Sequence, residues 1–245
     1  MSYALNIFIY TDMHIFYTPD ISTTLELPEE ESNHAVRVLR LTEGTDVLLI
    51  DGKGMFYEAT ITRAHHKRCA VIIHHSYAQK QQWPCQIHVA VAPTKNIDRI
   101  EWFLEKTTEI GIDAITLLKC RYSERKEVKI ERLQKIVVSA TKQSLKASLP
   151  TLRGMVDFKQ FVETPFEGQK FIAHCYDQQA KIGLKDLYTL GSDVLILIGP
   201  EGDFSETEVA LALANGFQPI TLGESRLRTE TAALVSCHTI HVLNQ

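Results

Sequence analysis

The apolar run at residues 194–198 constrains the fold more than any other segment of the chain. It reads V-L-I-L-I, without polar alternation, which predicts a β-strand buried on both faces of a parallel sheet. Residues 199–202 read G-P-E-G, where two glycines allow main chain to approach a ligand closely. Ser205 and Glu208 then have the spacing of a capping box, and the helix that they open is predicted to end near Gly216. In an open α/β sheet, the loop at the carboxyl end of such a strand is the expected ligand site.

From residue 86 onward, short apolar runs alternate with amphipathic stretches. Strands are predicted at residues 87–92, 115–118, 171–174, 194–198 and 219–222. One predicted helix has Ile97, Ile100 and Leu104 on one face and ends at Gly111. Another has a core stripe of Ile130, Leu133, Val137 and Ala140. This alternation predicts a parallel sheet covered by helices, for which unknotted connections are the default.

The first third of the sequence has a different character, with short β-rich runs separated by turns. Strands are predicted at residues 14–17, 46–50, 56–62 and 69–75. Residues 51–54 read D-G-K-G, which predicts a hairpin turn. One helix interrupts the strands, opened by three glutamates at residues 29–31 and continuing through Val36 and Leu39. Short strands at this spacing with a single helix predict a small β-barrel.

A polar, proline-terminated stretch at residues 78–84 is a predicted linker between domains at residues 1–77 and 85–245. With 245 residues and 44% hydrophobic composition, the chain has enough apolar material for two cores. Its apolar runs all fall short of the roughly 20 residues of a membrane-spanning helix. Five scattered cysteines without a C-x-x-C pair argue against a disulfide framework. These features favour the cytoplasm and exclude a membrane partner.

Positive charge is concentrated in one segment. The net charge is −4, yet residues 119–146 contain nine Lys or Arg and three Asp or Glu. Such a segment is the expected footprint of an RNA backbone, because counterion release drives its binding. A solvated helix face with pairs such as Glu131 and Lys135 would give the same pattern. Composition alone leaves both interpretations open.

Two loops near the carboxyl end carry a resemblance to a known family. Residues 198–203 read I-G-P-E-G-D, and residues 222–232 read L-G-E-S-R-L-R-T-E-T-A. They resemble the motifs I-G-P-E-G-G and L-G-x-R-I-L-R-T-E-T-A of the ribosomal RNA small subunit methyltransferase E family, the 16S rRNA uridine N3-methyltransferases of the SPOUT superfamily. Asp203 stands where that family has glycine, and Ser225-Arg226 where it has Arg-Ile. The resemblance covers nearly all of the chain from Met13 onward.

The resemblance implies both fold and activity. It implies a PUA-like, RNA-binding β-barrel at residues 1–77, followed by a SPOUT α/β domain with a deep trefoil knot. Because the family usually starts at a residue like Met13, residues 1–12 are interpreted as an extension. The implied reaction transfers a methyl group from S-adenosyl-L-methionine to N3 of a specific uridine in 16S ribosomal RNA, in the naked RNA or the assembled small subunit, by a cytoplasmic homodimer. Two alternatives stay open: the same chemistry on another RNA, and an inactive ribosome-binding homologue.

Transfer of a methyl group to a ring nitrogen depends on alignment in a tight pocket. The two loops offer main-chain groups and apolar side chains that would hold an adenine ring. The predicted cofactor residues are Ile198, Gly199, Glu201, Gly202, Leu222, Gly223, Ser225 and Leu227. Glu201 is expected to orient its loop.

The substrate nitrogen N3 carries a proton at neutral pH, so the reaction also needs a base or a cation that stabilises the uracil anion. Arg228 is the predicted cation, able to hold either a uracil oxygen or a phosphate. Glu230 is the candidate general base. A carboxylate in the first turn of a helix also stabilises that helix by itself, so a purely structural role for Glu230 stays open.

RNA contacts are predicted on two helices. They are His34, Arg37 and Arg40 on the first, with Arg125, Lys129, Arg132 and Lys135 in the basic segment. No metal site is predicted, because adjacent histidines on a strand point to opposite faces, so neither the pair at residues 65–66 nor the pair at 74–75 would chelate an ion.

Overall fold

A computed structural model describes residues 13–176 and 181–245 and divides the chain into two units. The first comprises residues 13–80 with Thr141–Leu149, and the second comprises Gln81–Ala140 with Pro150–Gln245. The domain boundaries drawn from the sequence stay a prediction, and the interpretation of residues 1–12 as an extension lies outside the described residues. No helix within the described ranges is long and apolar enough to span a membrane.

The first unit is built on one mixed sheet. Its elements are β1 (His14–Tyr17), α1 (Ile21–Thr24), α2 (Glu29–Asn33), a π-helical turn (His34–Val38), β2 (Asp46–Ile50), β3 (Met55–Arg63) and β4 (Ala70–Ala78). The strand order is β1-β2-β3-β4, with β1 parallel to β2 and the other pairs antiparallel. The four strands predicted for this region are confirmed, and the D-G-K-G turn joins β2 to β3 as predicted.

Strand β2 is buried on both faces because two clusters of apolar side chains cover it. Val47 and Leu49 belong to one cluster, while Leu48 and Ile50 belong to a second that includes Ala147. The segment Thr141–Leu149 thus completes the first unit by covering one face of its sheet. An ion pair between Lys142 Nζ and Glu31 Oε1, at 2.6 Å, fixes the same segment to α2.

The histidine pairs differ from expectation in their setting. His65 and His66 lie in the turn between β3 and β4 rather than on a strand, with ring centroids 4.7 Å apart. His74 lies on β4, where its Nε2 is 2.8 Å from the hydroxyl of Thr60. Among the residues described, no three His, Cys, Asp or Glu side chains are grouped as metal ligands.

The second unit alternates strands and helices. Its elements are β5 (Ile87–Val91), α3 (Ile97–Ile110), β6 (Ala114–Lys119), α4 (Ile130–Gln143), β7 (Thr151–Asp157), α5 (Phe158–Val162), β8 (Gln169–Ala173), β9 (Ile182–Gly183), α6 (Leu184–Leu187), β10 (Val194–Ile198), α7 (Glu206–Ala214), β11 (Gln218–Thr221) and α8 (Thr229–Leu243). Residues 141–143, at the end of α4, belong to the first unit.

The seven strands of the second unit form one parallel sheet in the order β7-β6-β5-β10-β8-β11-β9. Strand β10 lies at its centre, and all five of its residues are buried, as the apolar run predicted. The capping box is also confirmed, since Ser205 and Glu208 satisfy each other's backbone N–H groups at the start of α7. Because the strands are parallel, their carboxyl ends share one edge, where a ligand is expected. The deep trefoil knot implied by the resemblance stays a prediction.

His88 on β5 is held neutral inside the second unit. Burial, together with the nearby Arg153, lowers the pKa of His88 to about 4. The imidazole Nε2 lies 2.9 Å from the Thr116 hydroxyl, and Phe161 packs edge-on against the ring. The unfolded chain would bind a proton below about pH 6.5, whereas the folded unit binds it only near pH 4.

This difference predicts an acid-sensitive core. Stability should fall as pH drops from about 6.5 toward 4, and the part of this loss due to His88 is on the order of 2–3 kcal/mol. Urea unfolding followed by tryptophan fluorescence measures this unit selectively, because Trp83 and Trp102, the two tryptophans of the chain, both lie in it. A His88→Gln variant should lose less stability over that range than the wild type. Equal losses in the two proteins would exclude His88 as the titrating group.

Candidate active site

A cavity of about 630 Å³ opens at the carboxyl edge of the parallel sheet. Its walls come from the ends of β8, β10 and β11 and from the first turns of α3 and α8. Both apolar side chains, such as Ile198, Ile220 and Leu222, and charged ones line it. The volume lies within the range of about 300–1,000 Å³ that is typical of small-molecule sites.

The loop after β10 forms one wall of the cavity and keeps a left-handed residue where the family motif has glycine. Asp203 has φ 66°, a conformation that glycine favours and aspartate tolerates. Its carboxylate accepts hydrogen bonds from the backbone N–H groups of Cys175, at 2.7 Å, and Phe204, at 2.8 Å. These bonds join the loop to the end of β8, so the substitution preserves the turn rather than distorting it.

Glu201, in the same loop, holds that loop against the segment that follows β5. Its Oε1 accepts a hydrogen bond from the backbone N–H of Lys95, at 3.0 Å. The guanidinium of Arg125 donates to the carbonyl oxygens of Thr94 and Lys95, and Lys95 Nζ pairs with Glu124 at 2.8 Å. These contacts join the loops that follow β5, β6 and β10, three neighbouring strands. Glu201 and Arg125 therefore both contribute to the shape of this edge.

The loop after β11 forms the opposite wall. Gly223 has φ 130°, and a Cβ built there would meet no protein atom within 4 Å. The Thr221 hydroxyl donates to the Gly223 carbonyl at 2.8 Å, which fixes the turn. Arg228 is the N-cap residue of α8, with an exposed side chain that lines the cavity. Main chain is accessible to a ligand along this loop because no side chain covers Gly223.

An ion pair between the side chains of Glu230 and Arg99 lies behind this wall. Glu230, in the first turn of α8, is buried, with only 8% of its side chain exposed. Its Oε1 is 3.8 Å from Nε of Arg99, which lies in the first turn of α3 and lines the cavity. Its Oε2 accepts no hydrogen bond from the described residues. Glu230 itself is not part of the cavity lining, although its neighbours Thr229 and Ala232 are.

The structure brings most of the predicted ligand residues together. Those that line the cavity are Ile198, Gly199, Glu201, Leu222, Gly223, Ser225, Leu227 and Arg228. Gly202 does not line it, because its α-carbon faces Tyr122, whose Cβ would be 3.2 Å from a side chain there. The cofactor, catalytic and RNA-binding roles given to these residues stay predictions.

The predicted RNA contacts are distributed over both units. In the first unit His34, Arg37 and Arg40 are exposed, the first two on the π-helical turn. In the second unit Lys129, Arg132 and Lys135 are exposed, and Arg132 also pairs with Glu101 at 2.6 Å. The guanidinium of Arg125 already donates hydrogen bonds within the protein, to the backbone carbonyls described above.

The cavity lining also includes residues that were not predicted from the sequence, among them Arg99, His174, Cys175 and Lys181. The last three follow β8, whose end forms part of the same edge as the two glycine loops. Partial desolvation, together with the nearby Asp203, raises the pKa of the exposed Cys175 thiol, so it stays protonated at neutral pH. In an open α/β sheet, ligands bind at the carboxyl ends of the strands. Had the segment after every predicted strand been considered, rather than two loops alone, these residues could have been found.

Known proteins resemble this chain in both sequence and fold. The profile of an RNA methyltransferase domain matches residues 81–241, and that of an RNA methyltransferase PUA domain matches residues 27–73. A Porphyromonas gingivalis protein described as a probable rRNA methyltransferase is 45% identical, with a TM-score of 0.89 over 95% of this chain and 98% of its own. A Legionella pneumophila methyltransferase in complex with the bound cofactor SAM is 30% identical, with a TM-score of 0.85 over the same shares.

The relative named ribosomal RNA small subunit methyltransferase E in Synechocystis sp. is 29% identical over 91% of this chain and 74% of its own length. These matches confirm the predicted fold class, an α/β domain that follows an amino-terminal PUA domain. They also agree with the cavity at the carboxyl edge of the sheet, since two glycine loops of the matched domain form its walls. The chain therefore belongs to the RNA methyltransferase family.

Proposed function

We propose that this protein is an S-adenosyl-L-methionine-dependent methyltransferase that modifies N3 of a specific uridine in 16S ribosomal RNA. The observation that carries the proposal is the cavity whose walls are the two glycine loops. Relatives named ribosomal RNA small subunit methyltransferase E support the substrate, and one of them, from Neisseria gonorrhoeae, has been solved bound to S-adenosyl methionine.

The residues present fit that cofactor. Open space beside Gly223 lets a ligand lie against main chain, and Ile198, Leu222 and Leu227 supply apolar surface for an adenine ring. Asp203 keeps the left-handed conformation of the first loop, which argues against loss of the site in this chain. When bound, the cofactor supplies an electrophilic methyl group on a sulfonium. The protein contributes alignment and the exclusion of water.

Arg228 is proposed to stabilise the uracil anion. It is the N-cap residue of α8 and lines the cavity, and its planar guanidinium can donate two converging hydrogen bonds to one uracil oxygen. Glu230 was the candidate base. Its burial behind the wall supports a positioning role, for which the structure offers a specific partner in Arg99.

Ribosomal RNA, free or in the assembled small subunit, is the proposed partner. Exposed cations in both units support contacts with its phosphates.

We also propose a cytoplasmic homodimer. Trp102 on α3 and Val242 on α8, two helices of the second unit that pack together, are large apolar side chains with exposed fractions of 41% and 52%. Sedimentation analysis tests the dimer, and a monomer at working concentrations would exclude it.

The function itself is tested in cells that lack the protein. Mass-spectrometric mapping of their 16S ribosomal RNA should show the loss of one N3-methyluridine, restored by the wild-type gene. Loss of a modification from another RNA instead would favour the alternative substrate. An unchanged set of modified nucleotides, with no cofactor binding by the purified protein, would leave the ribosome-binding homologue.

The basic segment gives a separate prediction about RNA affinity. Replacing Lys129 and Lys135 by glutamine should weaken RNA binding several-fold and reduce its salt dependence, by about 0.7–0.9 in the log–log slope for each phosphate that is no longer neutralised. Cofactor affinity should not change. Lys159→Gln with Lys185→Gln is the matched control, because it removes two exposed cations from α5 and α6. Equal salt slopes in the two double variants would show that Lys129 and Lys135 do not contact phosphate.

A further inference from the structure

Among the described residues of the second unit, Glu230 has a buried carboxylate that lacks adequate partners. More than nine-tenths of the side chain is buried, and Oε2 accepts no hydrogen bond from any described residue. Its nearest cation, Nε of Arg99, is 3.8 Å from Oε1, which exceeds the length of a hydrogen bond. The amino end of α8 favours negative charge there, but a buried carboxylate normally needs hydrogen bonds as well. Such a group in a native protein calls for an explanation.

Arg99 supplies that explanation because it faces two ways. It is on α3, a different element from Glu230, and about a third of its side chain is exposed. Arg99 lines the cavity, and its Nε lies 3.8 Å from Oε1 of Glu230. An arginine that contacts a carboxylate through one edge still has further N–H donors in its rigid plane.

We propose that Arg99 is a second catalytic arginine, which stabilises the uracil anion, and that Glu230 is a positioning residue that holds Arg99 toward the cavity. The inference rests on the proposed function, since it concerns the uridine at the same site. It assigns Glu230 a role other than general base: the carboxylate acts through Arg99 and does not itself meet the substrate.

The step that Arg99 assists is the ionisation of uridine. The N3–H bond breaks, the proton passes to solvent water or hydroxide, and the electron pair stays on the ring, where its charge spreads to the O2 and O4 oxygens. A guanidinium beside one of those oxygens favours the anion over the neutral ring. The N3 lone pair then forms the new N–CH₃ bond as the S–CH₃ bond of the sulfonium breaks.

Several other charged groups face this space and share its electrostatics. The remaining cations of the cavity are Lys181, Arg226 and Arg228, and its carboxylates are Glu201, Asp203 and Glu224. His174 and Cys175 are the other titratable side chains there. Among the four cations, Arg99 is distinguished by the buried carboxylate of Glu230 beside it. Such a carboxylate can hold the guanidinium in one orientation.

The test is a double-mutant cycle on the full-length protein, read by single-turnover methylation of small-subunit RNA. Arg99→Gln should lower the rate about tenfold or more, with cofactor affinity nearly unchanged. Glu230→Gln alone should give a smaller loss, and in the Arg99→Gln background it should give none, because Glu230 acts through Arg99. Rate losses that multiply in the double variant would overturn the proposal, as would a wild-type rate in Arg99→Gln.

The pH profile separates positioning from a structural role. If Arg99 stabilises the anion, the apparent pKa of N3 in the rate–pH profile should rise by about one unit in Arg99→Gln, since a tenfold loss of stabilisation corresponds to one unit. Arg99→Lys should restore part of that shift. If Glu230 only stabilises helix α8, the Glu230→Gln variant should have a lower melting temperature and an unshifted rate–pH profile. That result would overturn the proposal. Wild-type protein that forms no N3-methyluridine would refute the proposed function, and the inference with it.

Discussion

Replacing Gly223 by valine is expected to abolish binding of S-adenosyl-L-methionine, with an affinity loss of at least about 100-fold, or about 2.7 kcal/mol. Gly223 has φ 130°, a conformation that a β-branched residue does not tolerate, so the loop after β11 must move. The added side chain would also enter open space, because no protein atom lies within 4 Å of a Cβ there. Titration calorimetry of the purified variant measures the loss.

Gly191→Val is the matched control for this experiment. Gly191 has φ 77°, its Cβ position is equally open, and it does not line the cavity. Both variants should lose comparable stability from backbone strain, of order 1–3 kcal/mol, but Gly191→Val should bind cofactor normally. Gly199 is a poorer probe, because a Cβ there would be 3.1 Å from the buried Phe204 and would disturb the core. Unchanged cofactor affinity in a folded Gly223→Val variant would remove this loop from the proposed binding site.

The sequence predicted the interior of the second unit well because its central strands are apolar on both faces. The strand predicted at residues 194–198 has the same bounds as β10 in the structure. The helix predicted after residue 96 is α3 (Ile97–Ile110). The four strands of the first unit were also found, because turn residues separate them.

What was missed lies at the edges of the parallel sheet. Strand β7 (Thr151–Asp157) pairs with one neighbour only, and its residues include Arg153 and Gly154 rather than an apolar run. Strand β9 (Ile182–Gly183) has two residues, and α5 and α6 have five and four, too few for any periodicity to register. Edge elements face solvent on more sides, so burial imposes less pattern on their sequence.

Long-range pairings were also beyond the sequence. The ion pair between Glu31 and Lys142 joins residues 111 positions apart, and it is part of what brings residues 141–149 into the first unit. Arg99 and Glu230 illustrate the same limit at the candidate site. Each is an ordinary first-turn residue of its own helix, and their relation exists only because α3 and α8 pack together. A motif located Glu230, but only the fold shows that it lies behind the cavity wall.

Arg228→Lys is expected to lower the single-turnover rate of methylation about 100-fold while cofactor affinity changes little. Lysine keeps the charge but loses the planar fork that can donate two hydrogen bonds to a uracil oxygen. Arg226→Lys is the matched control, since Arg226 is another exposed arginine of the same loop that lines the cavity. Its rate should stay near that of the wild type.

A phosphate contact by Arg228 predicts a different set of results. Lysine would then replace arginine with little loss of rate, because an ammonium also binds phosphate as a point charge. Arg228→Gln would weaken RNA binding and lower its salt slope by about 0.7–0.9, with the rate of bound RNA unaffected. Measuring the rate at saturating RNA together with RNA affinity at several salt concentrations separates the two roles. A wild-type rate in Arg228→Lys would assign Arg228 to the phosphate backbone and leave stabilisation of the uracil anion to another cation of the cavity.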